Sequence, residues 1–460
     1  FPIWHQEIED IIVLKNNKGT EDNRVRKLDY SIQISKLFYE RFIKNEEISL
    51  FSPHDVPGLY DAFGTESFDD LYTSYESDGS VPRKTIGAQE LFLDILKERA
   101  ETGRLYIMNI DHCNSHSSFL DKVEMSNLCQ EITLPTKPLE HIDDPNGEIA
   151  LCILSAVNVG KIRDLDDLKV LCDLAVRSLD ELIDFQNYPI NAAEIATKAR
   201  RSLGIGFIGL AHYLAKHGHD YNDSEAWQLV HNLTEAFQYY LISATVDLAE
   251  EKGACEYSGR TKYGNGILPI DTYKHDVDEI VPNELHYDWE DLRLRVKKHG
   301  VRNSTLSAQM PSESSSVVSN ATNGIEPPRG YLSIKKSKKG PLKQIVPQYA
   351  TLKNNYTLLW DMGSNRGYIN IVAVMQKFFD QAISGNWSYN PLQYPDNEVP
   401  ISVMAQDLLT TYKYGWKTSY YQNTYDFKTD EVDETDKESL ENLIAQLENA
   451  EEEECESCKI

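Results

Sequence analysis

The sequence predicts an α/β fold followed by an acidic tail, and three observations carry that expectation. Short apolar runs bounded by turn residues are interspersed with long stretches in which apolar residues recur every three to four positions. No apolar run approaches the length needed to span a bilayer as a helix. Beyond Phe427 the composition changes abruptly, with Asp and Glu dominant and aromatic residues gone.

Taken in order, residues 8–100 read as mostly helical, broken by the turn-rich "SPHDVPGLYDAFG". "GRLYIMNIDHCN" reads as a strand, because its apolar residues sit between a glycine and a polar loop. The loop "SHSSFLDKVEMSNLCQEITLPTKPLE" leads to a second apolar strand, "EIALCILSAVNVGKI". Residues 164–253 are helical again, and "DLKVLCDLAVRSLDELIDF" shows the amphipathic spacing clearly. "RNSTLSAQMPSESSSVVSNATNGIEPPRG" predicts a strand, a loop and a helix start. Mixed, aromatic-rich structure then runs to "KTSYYQNTYDF". In the tail only "LENLIAQLENA" could form a short helix, and the chain has no internal repeat.

The formal net charge of -27 over 460 residues argues against a nucleic-acid backbone as partner. Seven irregularly spaced cysteines are too few for a disulfide framework. They predict a cytoplasmic protein with reduced thiols, whose clustered cysteines serve catalysis. The opening "FPIWHQEIEDIIVLKNNKG" resembles neither a signal nor a transit peptide. It has no initiator methionine and starts in what reads as a buried segment, which predicts a truncated or split chain.

Four stretches carry chemistry. "SNLCQE" places Asn127, Cys129 and Glu131 at alternate positions, which share one face of an extended segment. Such a face could be a thiol reaction centre with a base and an amide partner, or simply a polar loop holding a buried cysteine. Cys152 sits inside apolar "ALCILSA", where a strand-core cysteine is the ordinary explanation. "MPSESSSVVSNATNG" offers hydroxyls and unpaired N–H groups at a helix start, a phosphate cradle or plain capping. "TSYYQNTYD" sets Tyr420 beside Tyr421; adjacent phenols can relay an electron and a proton only if a radical arrives from outside the chain.

Two further patterns are set aside. Gly204, Gly206 and Gly209 form a G-x-G-x-x-G, but "INAAEIATKARRS" before it reads as helix, so no dinucleotide site is expected. His112, Cys113 and His116 lack a second ligand pair at a recognised spacing, so no metal is expected there.

These segments together closely resemble the large, catalytic subunit of class I ribonucleotide reductase. The stretches that carry the resemblance are "FPIWH", "LKNN", "LFSPHDVPGLYDAFG", "SNLCQEITLPTKPL", "NGEIALCILSA", "MPSESSSVVSNATNGIEPPRGY", "KTSYYQNTYD" and the terminal "CESCKI". They run from the first residue to the last in the family's order. The resemblance implies the C-terminal portion of a ten-stranded α/β barrel with a central finger loop. Residues 1–120 would be the latter part of the first half-barrel. Residues 121–427 would hold the finger loop and the second half-barrel, and 428–460 a flexible acidic tail.

On the matching residues, Cys129 resembles the cysteine that becomes a thiyl radical, Glu131 the carboxylate that takes the 3′-hydroxyl proton, and Asn127 the amide that binds substrate. Cys152 resembles one of two thiols that supply reducing equivalents. Tyr420 and Tyr421 resemble the last steps of a radical path from a small subunit whose metallocofactor supplies the radical. Ser312, Glu313, Ser314 and Ser315 fall in what resembles the substrate-diphosphate loop. Cys455 and Cys458 resemble the tail dithiol that carries electrons from thioredoxin or glutaredoxin, since a mobile thiol pair can exchange with a buried disulfide.

The activity implied is reduction of ribonucleoside diphosphates to 2′-deoxyribonucleoside diphosphates. No cofactor is expected on the chain itself, and no membrane or nucleic-acid partner. The family's nucleotide-binding regulatory sites and second redox cysteine have no counterpart in this sequence. A homodimer, completed by a polypeptide supplying the N-terminal portion, is therefore expected. The competing reading is an inactive remnant that still binds the small subunit or a thioredoxin-like protein. A cobalamin-dependent reductase fits less well, because the tyrosine pair implies a protein radical donor.

Overall fold

Eleven strands order the described chain: β1 (Tyr30–Ile34), β2 (Glu47–Leu50), β3 (Lys84–Gly87), β4 (Leu105–Asn109), β5 (Leu154–Asn158), β6 (Gly204–Ile208), β7 (Leu332–Ser337), β8 (Gly340–Ile345), β9 (Trp387–Tyr389), β10 (Thr418–Ser419) and β11 (Gln422–Thr424). The computed structural model describes residues 1–337 and 340–426. The expected tail at 428–460, with Cys455 and Cys458, lies outside the described residues.

Short hydrogen-bonded sheets, isolated bridges and chain continuity link most of these strands into one wall. β5 pairs parallel with β6, and a bridge from Ile205 to Ser307 adds residues 305–309 in the same direction. Gln309 bridges Ile383, again parallel, and that segment continues into β9, which pairs parallel with β11. Next, β10 pairs antiparallel with β4, which is parallel to β1. Among the described residues, β5, β6, 305–309, the segment through β9, and the segment through β10 and β11 therefore share one direction, with β4 and β1 opposed. β2 and β3, and separately β7 and β8, form antiparallel hairpins outside this order.

The middle of the wall is buried on both faces, as parallel sheets flanked by helices are, whereas β5 is half-buried beside a cavity. All five residues of β4 and of β6 are buried. The helix Ala88–Thr102 covers β4 and β11 from outside with Leu91, Phe92, Ile95 and Leu96, the apolar stripe its spacing predicts. Gly103, at φ +68°, ends that helix in the left-handed conformation that a glycine takes without steric cost.

Three expectations change. Residues 8–100 are not mostly helical: β1, β2 and β3 lie among the five α-helices of that stretch. β1 carries the missed signal, since Tyr30, Ile32 and Ile34 alternate and are all buried. The second apolar strand is only Leu154–Asn158, so Cys152 precedes it and is exposed rather than strand core. Gly204 and Gly206 lie within β6 rather than after a strand. A Cβ on Gly206 would stand 2.6 Å from the Ala308 carbonyl oxygen, so close strand approach is their purpose.

Candidate active site

The stretch holding Asn127, Cys129 and Glu131 is a tight turn, not an extended segment with one shared face. Leu128 and Cys129 form the turn, and Gln130 has φ +71°, a conformation rare for a residue with a side chain. The Asn127 side chain builds it, its Oδ1 accepting from the Ile132 N–H at 3.1 Å. Leu128 points to solvent at 58% exposure while Gln130 is buried.

The wall holds this turn on its own strands. The Ala382 N–H donates to the Glu131 carbonyl at 3.0 Å, and the Thr418 hydroxyl to the Gln130 carbonyl at 3.0 Å. The Ser384 hydroxyl donates to the Cys129 carbonyl at 2.5 Å and lies 3.2 Å from the Glu131 carboxylate. Ser384 was not visible as a site residue in the sequence, because it lies more than 250 positions from its partners.

Tyr420 follows β10 directly, and its hydroxyl donates to the Cys129 sulfur at 3.6 Å. Its ring lies 4.1 Å from that of Tyr421, centre to centre. A third phenol, Tyr106 on β4, packs 4.9 Å from Tyr420 and 5.7 Å from Tyr421. Burial, reinforced by hydrogen bonding to Tyr421, pushes the Tyr420 phenol far above its usual range. Burial also raises the Cys129 thiol, so at neutral pH both groups keep their protons.

The buried Arg99 fixes the backbone of this pair. Its guanidinium donates to the carbonyls of Leu105 at 2.6 Å, Tyr420 at 2.7 Å and Tyr421 at 3.3 Å, and sits over the Trp387 ring. Burial pulls its pKa down to about 10. Asn386 adds a second anchor: its Oδ1 accepts from the Tyr421 N–H at 3.0 Å while its amide donates to Glu326.

Glu131 is buried at 1% exposure, and desolvation raises its pKa against the hydrogen bonds from Asn127, Ser384 and Cys152. Cys152 donates to the same carboxylate at 3.9 Å. Burial, then the nearby Glu131 and Cys129, push the Cys152 thiol up to about 12. Cys152 itself is exposed, with the Glu131 carboxylate beside it. One amide, two thiols, one carboxylate and a phenol thus meet at the turn.

Beside it opens a cavity of about 1340 Å³, whose lining includes Ser155, Ser384, Tyr420 and, at another side, Ser312 through Ser316. The predicted helix start is present as Glu313–Val318, and Ser312, Glu313, Ser314 and Ser315 all face this cavity. The buried Ser316 hydroxyl has no hydrogen-bond partner among the described residues. His112 and His116 bond instead to the Trp416 carbonyl and to Thr272 with the Gln376 carbonyl, while Cys113 donates to the Lys417 carbonyl. Those three side chains are satisfied separately.

The family profile described as "Ribonucleotide reductase, barrel domain" matches residues 1–356 and 346–422. The chain belongs to this family. It is 58% identical over 435 residues to the ribonucleoside-diphosphate reductase subunit alpha of Haemophilus influenzae, covering 94% of this chain and 58% of that protein. It is 55% identical over 438 residues to ribonucleoside-diphosphate reductase 1 subunit alpha of Escherichia coli K12, covering 94% of this chain and 58% of that protein. The subunit alpha of Enterobacteria phage T4 is 41% identical over 471 residues, covering 100% of this chain and 60% of that protein. The chain spans about three-fifths of the length of these curated relatives.

Proposed function

We propose that this chain carries the radical-bearing catalytic site of a class I ribonucleoside-diphosphate reductase. The observation that carries the proposal is the Tyr420 hydroxyl set 3.6 Å from a Cys129 thiol that burial keeps protonated. A nucleophilic cysteine needs its thiolate and a base beside it. A thiol that is to lose a hydrogen atom must instead keep its proton and touch a group able to take both electron and proton. Tyr420 is such a group.

In this reading a radical from the metallocofactor of a small subunit passes through Tyr421 and Tyr420 to Cys129. The Cys129 thiyl removes the 3′ hydrogen of the ribose. Glu131 takes the 3′-hydroxyl proton, which its raised pKa favours, and Asn127 holds the substrate. Cys152 gives one of the two reducing equivalents as the 2′-hydroxyl leaves as water. Ser312, Glu313, Ser314 and Ser315 receive the diphosphate, supported by their place on the cavity wall. The turn at Cys129 is the finger loop, and the wall is part of a ten-stranded barrel divided near residue 120. The opposed direction of β4 and β1 supports that division.

Cys455 and Cys458 serve as the dithiol of an acidic tail at residues 428–460 that thioredoxin or glutaredoxin reduces. The remaining partner is a second copy of the subunit. The setting is the cytoplasm; among the described residues no helix is long and apolar enough to cross a membrane.

Rapid-quench counting of deoxynucleotide product in the assembled reductase tests the reading. Cys129→Ser and Tyr420→Phe each abolish product while nucleotide binding persists. Cys455→Ser with Cys458→Ser stops after about one turnover with thioredoxin and resumes with dithiothreitol. Normal turnover in either of the first two variants refutes the radical assignment, and an inert wild-type assembly that still binds the small subunit favours the silent remnant.

A further inference from the structure

We propose that Tyr106 is a third redox-active phenol of this site, exchanging a hydrogen atom with Tyr421 alongside the direct line from Tyr421 through Tyr420 to Cys129. The inference rests on the radical reading above and extends it to a residue that the sequence patterns did not single out.

Tyr106 lies on β4, held between β1 and β10. β10 pairs Thr418 with Met108 and Ser419 with Ile107, so one further step along the register brings Tyr420 beside Tyr106. The Tyr106 ring meets Tyr421 edge-on, at 86°. Thus one rigid strand presents a phenol to both members of the pair.

Packing does not account for its hydroxyl. Tyr106 is 0% exposed, and its oxygen is buried with no direct hydrogen bond among the described residues. A phenylalanine would fill the same space without leaving a polar atom unpaired. Tyr421 is the group whose hydroxyl acts most strongly on it: after burial, that neighbouring phenol does most to push the Tyr106 phenol above its usual range. Asp29 acts in the same direction and Arg104 against it. Tyr106 therefore stays a neutral phenol.

The step balances without any further reagent. The small subunit's protein radical is the oxidant: it takes the hydrogen atom, electron and proton, from the Tyr421 hydroxyl and leaves Tyr421 as a phenoxyl. The O–H bond of Tyr106 breaks, its electron and proton pass together to the Tyr421 oxygen, and the O–H bond of Tyr421 forms. The phenoxyl then resides on Tyr106, and the reverse step returns it. No net charge moves, which suits the fully buried Tyr106, where a separated charge would be costly.

The test places 3-aminotyrosine, which is oxidised more easily than tyrosine, at position 106 or 421 of the holoenzyme, mixed with small subunit and substrate. Electron paramagnetic resonance is then recorded. We expect an aminotyrosyl radical at each position. Difluorotyrosine at 106 provides a second probe, since it adds little volume and its radical shows a resolved fluorine splitting. Trapping at 421 with no signal at 106 from either analogue overturns the inference and leaves the Tyr421–Tyr420 relay standing. Absence of trapping at both positions overturns the relay reading, and the inference with it.

Discussion

The two ends of the cavity are built in opposite ways. At the serine loop, Ser312 through Ser315 come from one uninterrupted stretch, and Ser315 bonds to the carbonyl of Ser312 within it. At the thiol end, Tyr420 and Ser384 line the cavity from separate segments, Cys129 and Tyr106 contact Tyr420 from two others, and Arg99 reaches across 321 positions to the Tyr420 carbonyl. Both Ser314 and Ser315 are exposed, whereas Tyr106 and Arg99 are 0% exposed. Receiving a charged diphosphate requires donors near water, which a short loop supplies. The proposed transfer of a hydrogen atom requires neutral groups fixed close together, and strands paired over long sequence distances supply that.

After loss of the radical line itself, removing Glu131, the proposed base, gives the largest expected effect. Glu131→Gln lowers kcat by roughly 10²- to 10⁴-fold, the ordinary contribution of a general base. The pH profile separates this from a structural loss. Burial raises the Glu131 pKa, so wild-type activity falls as the pH drops through that raised value and the carboxylate becomes protonated. The glutamine variant loses this acid limb. An unchanged acid limb would mean that Glu131 does not titrate in the reaction.

An intermediate effect is expected at the anchor of the phenol pair. Arg99→Met removes the donor that Arg99 gives to the carbonyls of Leu105 and Tyr420, at about 1–3 kcal/mol for each group left unsatisfied. Thermal unfolding measures that loss. Arg99→Lys restores one donor and part of the stability. If Arg99 only supports the fold, kcat follows stability in both variants. If it positions the phenols, kcat at a temperature where both are folded falls about tenfold further in Arg99→Met, with KM unchanged.

The smallest effect belongs to the serine loop. Ser314→Ala removes one exposed hydroxyl and costs roughly 1 kcal/mol of substrate binding, a KM increase of about fivefold with kcat unchanged. Steady-state kinetics check it, and a fall in kcat with KM unchanged would move Ser314 away from the diphosphate.

Several features could be read directly from the sequence: the helix start at the serine loop, the strand through β4, and the amphipathic helix Asp167–Phe185. Each rests on local chemistry, such as hydroxyls before a helix, an apolar run between turns, or a three-to-four spacing. The grouping of Asn127, Cys129 and Glu131 was legible for the same reason, although the geometry behind it was not. A period-two face was expected, and a turn with a left-handed Gln130 is what forms. Its shape depends on hydrogen bonds from Ala382, Ser384 and Thr418, none of them near in sequence.

What only the tertiary structure decided is which distant residues meet around Cys129 and Tyr420. The sequence showed Tyr420 beside Tyr421 but could not distinguish Tyr106 or Arg99 from other buried tyrosines and arginines. Residue type and spacing determine which local structures form. The antiparallel junction of β10 with β4 determines which side chains meet, because it brings together segments more than 300 residues apart. That pairing is fixed by long-range hydrogen bonding and burial, which short-range pattern does not encode.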